Sequence, residues 1–349
     1  MKCTIQNIAD HLGLSRNTVS KALKNSSEVS ENTRNLVIKT ASKLGYKNAT
    51  FATPVIPASE TGSNGTILFL TRTYASDSEF WTTVLRGIES ILSNANYHLA
   101  ISIMSDSDLK QLNFPQTISD SSIKGIILVE ICDKVVCDAL SQFNLPIVSV
   151  DMPNVPFEEL NGIDVVTMES KKNLKKIINQ LIEKGAESFG FVGDLYSPNV
   201  SRGFQERYNA LSECLAEHQL PLNQKNCLLH QTPEDFRNFQ TTVNNLQAMI
   251  SLPDVFICGN DWTAIQLIYA LQFLGFQIPK DICVVGFDNF PAASRISPSL
   301  TTISTPQKYL GIAAARQILE RIQHPNCPHV FCQYETELII RNSTNIISF

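Results

Sequence analysis

Residues 4–23 read TIQNIADHLGLSRNTVSKAL. Ile5, Ile8, Ala9 and Leu12 recur at helical spacing, and Gly13 ends the run. Ser15 is a good N-cap for a second helix. That helix turns Val19, Ala22 and Leu23 inward and Arg16, Asn17, Ser20 and Lys21 outward. Two short helices joined by a glycine-containing turn make a helix-turn-helix, whose second helix enters the major groove of DNA. Arginine suits guanine edges, asparagine suits adenine edges, and serine and lysine suit phosphates. A small helical bundle with a polar surface is the plainer reading of the same pattern. Further out, Ser30 caps a third helix that carries Val37, Ala41 and Leu44 and closes at Gly45.

Charge separates this head from the rest of the chain. Residues 1–49 hold eight Lys/Arg against three Asp/Glu, whereas the whole 349-residue chain has a net charge of −5. A basic head on an acidic body is the footprint of a polyanion-binding module joined to something that does not bind polyanions. Residues 48–65, NATFATPVIPASETGSNG, are rich in Pro, Ser, Thr, Ala and Gly and read as a linker.

From Thr66 short apolar runs alternate with amphipathic stretches. TILFL (66–70), LAISIM (99–104), GIILV (125–129), IVSVD (147–151), FGFVGD (189–194), VFICGND (255–261) and ICVVGFD (282–288) read as strands, with helices between them. Apolar strands alternating with helices predict parallel sheets covered on both faces. The series is too long for one sheet and too irregular for a closed barrel. The fold class is therefore α/β: an N-terminal three-helix headpiece (1–47), a linker (48–65) and a core of two doubly wound halves (66–345).

The head and core together resemble the lactose/galactose repressor family. In the head the resemblance rests on Thr4-Ile5-Gln6-Asn7-Ile8-Ala9, Leu14-Ser15, Thr18-Val19-Ser20-Lys21-Ala22-Leu23, Val29-Ser30, Thr33-Arg34 and Leu44-Gly45-Tyr46. In the core it rests on Leu85-Arg86-Gly87-Ile88-Glu89, Gly125-Ile126-Ile127-Leu128, Gly259-Asn260-Asp261, Val284-Val285-Gly286-Phe287-Asp288, Pro298-Ser299-Leu300-Thr301-Thr302-Ile303 and Leu338-Ile339-Ile340-Arg341-Asn342-Ser343-Thr344. It implies a two-lobed, periplasmic-binding-protein-like core and a repressor that binds a near-palindromic double-stranded DNA operator as a homodimer. It also implies that Arg16 and Asn17 read bases, that Thr18, Ser20, Lys21 and Asn25 anchor the helix or touch phosphates, and that Thr4, Ser15 and Tyr46 belong to the DNA-facing set. Val55 stands near the position of a minor-groove wedge. Here the chain departs from the family, because Pro54 and Pro57 flank that position and suit a tether as well as a shifted hinge helix.

A small-molecule effector, a carbohydrate by the resemblance, is expected between the lobes near strand carboxyl ends. The resemblance and the strand-end rule point to Phe80, Trp81, Arg207, Asn260, Asp261, Trp262 and Asp288. Guanidinium and carboxylate groups suit hydroxyls, and aromatic faces suit sugar rings. Arg202 competes with Arg207, because the residues after Arg207 do not follow the family pattern. Each residue also has a plainer reading: Asp288 as a helix cap, Trp81 as core, Arg207 as a surface ion pair.

Other classes fit less well. The absence of a signal-peptide core argues against a transporter's solute-binding protein and for the cytoplasm. No phosphate-cradling loop, nucleophile elbow or clustered carboxylates point to an enzyme. No apolar run spans a bilayer. The nine cysteines read as small buried hydrophobes. His324-Pro-Asn-Cys327-Pro-His329-Val-Phe-Cys332 has spacing that could hold a soft metal, but it lacks a partner cluster, and no metal or other cofactor is expected. Control by a protein co-regulator in place of a sugar remains an alternative, and the sign of control, inducer or corepressor, is open.

Overall fold

The computed structural model describes residues 4–23, 29–30, 33, 36–37, 40, 63–72, 78–195, 202–230 and 238–344. Asn25, Tyr46 and Val55, with the proline-flanked linker, lie outside the described residues. The chain divides into two units, Met1–Gly62 and Ser63–Phe349.

In the first unit, α1 (Ile5–Leu12) begins at a reciprocal cap: Thr4 accepts from Asn7 N, and Asn7 Oδ1 accepts from Thr4 N at 2.9 Å. Two otherwise unpaired backbone donors are satisfied at once. Gly13 takes φ 64°, the left-handed turn that lets the chain reverse into α2 (Arg16–Leu23). Ile8, Ala9, Val19, Ala22, Val29 and Val37 form the buried core of this unit.

The second unit holds two six-stranded sheets. The first contains β1 (Gly65–Arg72), β2 (Tyr97–Met104), β3 (Ile123–Val129), β4 (Ile147–Ser149), β5 (Asp164–Met168) and β11 (Phe331–Tyr334), in the order β11-β5-β4-β3-β1-β2. The second contains β6 (Phe189–Asp194), β7 (Leu228–His230), β8 (Val255–Cys258), β9 (Cys283–Asp288), β10 (Thr301–Ser304) and β12 (Glu337–Ile339), in the order β12-β10-β9-β8-β6-β7. Every pairing is parallel except β10 with β12. Alternate residues of single strands feed separate cores. Ile67 and Phe69 of β1 pack on one side of the first sheet, and Leu68 and Leu70 on the other. Phe191 and Val192 divide in the same way in the second sheet. Apolar residues on both faces are why these strands read as continuous hydrophobic runs.

Among the described residues, the α-helices of this unit are α3 (Glu79–Leu92), α4 (Asp106–Gln111), α5 (Lys134–Ser141), α6 (Lys172–Glu183), α7 (Arg202–Glu217), α8 (Phe239–Ala248), α9 (Asp261–Phe273) and α10 (Gln307–Gln323). The chain passes between lobes three times: between β5 and α6, between β10 and α10, and between β11 and β12. Sequence periodicity did not anticipate α10, the helix that carries the chain back into the first lobe. It crosses α3 at two glycines. A Cβ on Gly311 would collide with the carbonyl of Val84, and one on Gly87 with the carbonyl of Lys308.

Residues 324–330 form a loop wound onto Arg321, and Cys332 lies in β11. Arg321 bonds the buried Asp164 carboxylate at 2.9 and 2.8 Å and also donates to the carbonyls of Pro325, Cys327 and Pro328. His329 Nδ1 lies 3.2 Å from Asp164. Among the described residues no group of three or more His, Cys, Asp or Glu is placed to hold a metal ion, and no described helix is long and apolar enough to cross a membrane.

Candidate nucleic-acid interface and effector cleft

The head presents one polar helix face. Ser15 caps α2, accepting from Thr18 N at 3.0 Å, and its hydroxyl meets the Thr18 hydroxyl at 2.8 Å. Thr4 is likewise engaged at the start of α1, accepting from Asn7. These three side chains therefore fix the ends of the helices. Arg16 and Asn17 are exposed, and Ser20 and Lys21 follow one turn later on the same side, opposite buried Val19 and Ala22. That face carries guanidinium, amide, hydroxyl and ammonium groups within two helical turns. It offers both base-edge and phosphate chemistry.

The second candidate lies where the carboxyl ends of the two sheets meet. Arg207, in the second turn of α7, is buried. Its Nη1 donates to the Gly259 carbonyl at 2.6 Å, and its guanidinium lies 3.6 Å from the ring centroid of Phe287. Burial holds this guanidinium below its usual range, while the carboxylates of Asp288 and then Asp151 act against that shift. Asp288 belongs to the second lobe and Asp151 to the first, so Arg207 senses both sides of the cleft. Asp288 is itself buried, and desolvation raises its carboxyl well above the ordinary range. It has φ 115°, and the next residue, Asn289, has φ 56°. This turn, uncommon for residues other than glycine, ends β9 and directs Asp288.

The other expected residues divide. Asn260 caps α9, its Oδ1 accepting from Thr263 N at 2.9 Å and Thr263 Oγ1 at 2.7 Å. Asp261 corrects an expectation. It is fully buried, with Oδ1 taken by the Thr302 hydroxyl at 2.6 Å and Oδ2 by Phe290 N at 2.8 Å, so it braces the 288–290 turn instead of facing a ligand. Trp262 also departs from expectation, because it shares the exposed side of α9 with Tyr269 and Phe273. Phe80 is core, buried with Val84, Ile88 and Phe290, and Trp81 packs edge-on against it at 4.7 Å. Trp81 remains half-buried.

Arg202 is not an alternative to Arg207. Its backbone N–H reaches the Met152 carbonyl at 3.4 Å, and its Nη1 reaches the Val155 carbonyl at 3.1 Å, so it joins the lobes from α7 to the segment after β4. Glu206 holds its Nε at 2.8 Å.

Three polar residues at the carboxyl ends of the first sheet escaped sequence reasoning. Arg72 ends β1 and pairs with Asp106 at 2.6 Å; Glu130 follows β3; Asp151 follows β4. All three bear electrostatically on the buried Cys132 thiol, whose proton affinity is raised by burial, then by Asp151 and Glu130. The available signal was the first charged residue after each apolar strand, applied to the first lobe as well as the second.

Two family models match the chain: bacterial regulatory proteins, lacI family, over residues 4–48, and periplasmic binding protein-like domain over residues 178–344. Among curated relatives, the HTH-type transcriptional repressor PurR of Photobacterium profundum is 26% identical over 345 residues, covering 97% of this chain and 98% of that protein. Among solved structures, a complex of the transcriptional regulator CelR with cellobiose superposes with TM-score 0.68 at 19% identity, covering 98% of this chain and all of that one. The lac repressor dimer bound to operator and the anti-inducer ONPF gives TM-score 0.67 at 20% identity, covering 99% of both chains.

Proposed function

The chain belongs to the lacI family of bacterial regulatory proteins, and on that premise we propose a cytoplasmic repressor that binds a near-palindromic operator as a homodimer and is controlled by a small molecule held between its lobes. It is a DNA-binding transcription regulator and not an enzyme. In this reading Arg16 and Asn17 address base edges, while Ser20 and Lys21 address phosphates. Arg207 and Asp288 address the effector from the second lobe. The observation that carries the reading is Arg207, buried between Gly259 and Phe287, with Asp288 on its own lobe and Asp151 across the cleft.

A carbohydrate effector is supported by the sugar-bound relative of the same fold and by the mixture of guanidinium, carboxylate and aromatic groups at the strand ends. A homodimer is supported by apolar side chains left exposed on two elements. Trp262, Tyr269 and Phe273 line one side of α9, and Ile101 and Ile103 lie on the edge strand β2. Exposed apolar surface of this kind marks association, and two heads on one dimer match the symmetry of a palindromic site.

The test is binding-site selection with the purified protein, with and without a panel of small sugars. A near-palindromic site gained or lost with one sugar supports the proposal and fixes the sign of control. A site indifferent to every sugar would overturn the carbohydrate assignment and favour a protein co-regulator. Absence of any selected site would overturn the operator reading.

A further inference from the structure

Arg202 and Glu206 act as a unit at the start of α7, where Glu206 Oε1 accepts from Arg202 Nε at 2.8 Å. The charge of this guanidinium is therefore answered on its own lobe, one helical turn away. Among the described residues, its contacts on the first lobe are with neutral groups. Nη1 donates to the Val155 carbonyl at 3.1 Å and lies 3.7 Å from the Met152 sulfur. The guanidinium carbon stands 5.7 Å from the centre of the Phe331 ring, and the Arg202 N–H reaches the Met152 carbonyl at 3.4 Å. Parting the lobes at this point breaks neutral hydrogen bonds and a cation–π contact and pulls no ion pair apart. Glu206 keeps the guanidinium arranged for the return.

The surface that receives Arg202 is built, and it leads into the cleft. Met152, Leu160 and Val165 form a small buried core of their own, with Val155 and Phe157 packed against it. The Phe157 ring lies 5.5 Å from that of Phe331. Asp151 is joined to the same segment, its Oδ1 accepting from Met152 N at 2.8 Å. Asp151 in turn acts on the charge of Arg207, which follows Arg202 in the second turn of α7. The contact thus has a cleft residue beside it on each lobe: Asp151 next to Met152, and Arg207 on the helix that Arg202 begins.

We propose that Arg202 is an interlobe clasp, a positioning residue that holds Asp151 against Arg207 and sets how readily the two walls of the cleft part. This rests on the effector reading above and adds the contact that governs access to that site. The experiment is hydrogen–deuterium exchange of the full chain with no sugar added, read by mass spectrometry for wild type, Arg202→Ala and Arg202→Lys. Arg202→Ala is expected to speed exchange roughly five- to tenfold in peptides covering 150–160 and 202–207, the factor that one or two neutral hydrogen bonds supply. Exchange in β8 is expected to stay as in wild type, and so is the melting transition. Arg202→Lys keeps a cation for the Phe331 ring and a donor for the Val155 carbonyl without the planar fork, and is expected to recover part of the protection. Unchanged exchange at 150–160 in Arg202→Ala would overturn the clasp. Faster exchange spread over both sheets in both variants would also overturn it, by showing that Arg202 supports folding in general. The readout uses neither operator nor sugar, so it succeeds or fails independently of the sugar panel that tests the effector reading.

Discussion

Arg341 donates from Nη2 to Oδ1 of Asn289 at 2.7 Å, and from Nη1 to the Leu300 carbonyl at 2.8 Å. Fifty-two residues separate this pair in the chain. Asn289 also donates to the Ser304 hydroxyl at 3.2 Å, and its N–H reaches the Thr302 hydroxyl at 3.3 Å. The left-handed turn at Asp288 and Asn289 is thus fixed from the C-terminal segment and from β10. Ser343 extends the attachment, accepting from Thr301 N at 2.8 Å and donating to the Val284 carbonyl at 2.6 Å.

If this clamp sets the direction of Asp288, Arg341→Ala should weaken effector binding as well as folding. We expect a stability loss of roughly 1–3 kcal/mol in urea and an effector affinity lower by about tenfold. Arg341→Lys should recover only part, because an ammonium cannot serve both acceptors in the planar arrangement that the guanidinium uses. Unchanged effector affinity in a destabilised variant would limit Arg341 to a structural role.

Much of this was legible in the sequence. The head was readable because caps and periodicity are local: Ser15 and Ser30 both accept from the backbone three residues on, as their positions predict. The strands were readable because both faces are buried. FGFVGD at 189–194 coincides with β6 to the residue. What escaped depends on partners distant in sequence. Helix α10 is small-residue-rich and buried along much of its surface, so its pattern lacks a clear polar face. Asp261 lies next to Asn260 after a strand and looked like a ligand residue, yet its partners Phe290 and Thr302 are 29 and 41 positions away. The spacing of His324, Cys327, His329 and Cys332, from which no metal was expected, has another cause: the first three lie in a loop folded around Arg321 and Cys332 lies in β11.

The crossing of α3 and α10 leaves no room at Gly311. Gly311→Ala would place a methyl group against the Val84 carbonyl and the start of the next turn. Backbone cannot move aside as a flexible side chain can, so we expect destabilisation of roughly 1–3 kcal/mol, measured by thermal or urea unfolding. An unchanged midpoint would show that the helices separate freely and that the close approach is not required.

The base-reading assignment separates specificity from affinity. Replacing Arg16 or Asn17 by alanine should cost about 1–3 kcal/mol on the selected operator and relax preference at one base position in each half-site. Replacing Lys21 should lower binding on all sequences and reduce the salt dependence of the affinity. The check is titration of operator variants at two salt concentrations. A uniform loss on every sequence for Arg16→Ala would move Arg16 to the phosphate-contacting group.

Asp261 couples stability to pH, with a sign opposite to that of an ordinary salt-bridged aspartate. Burial pushes its carboxyl from the usual 3.8 up to about 7, although hydrogen bonds from Thr302 and Phe290 pull the other way. The folded state therefore binds this proton more tightly than the unfolded state does. Its stabilisation is complete below pH 3.8 and is lost as pH rises through about 7. Asp288, also raised by burial, contributes with the same sign. The melting temperature of the chain without effector should fall between pH 5 and pH 8 relative to that of Asp261→Asn, which cannot ionise there. Whatever offset separates the two proteins at low pH, it should move in the variant's favour as pH rises through about 7. Parallel profiles for the two proteins would show that Asp261 is ionised throughout and that its two hydrogen bonds outweigh its burial.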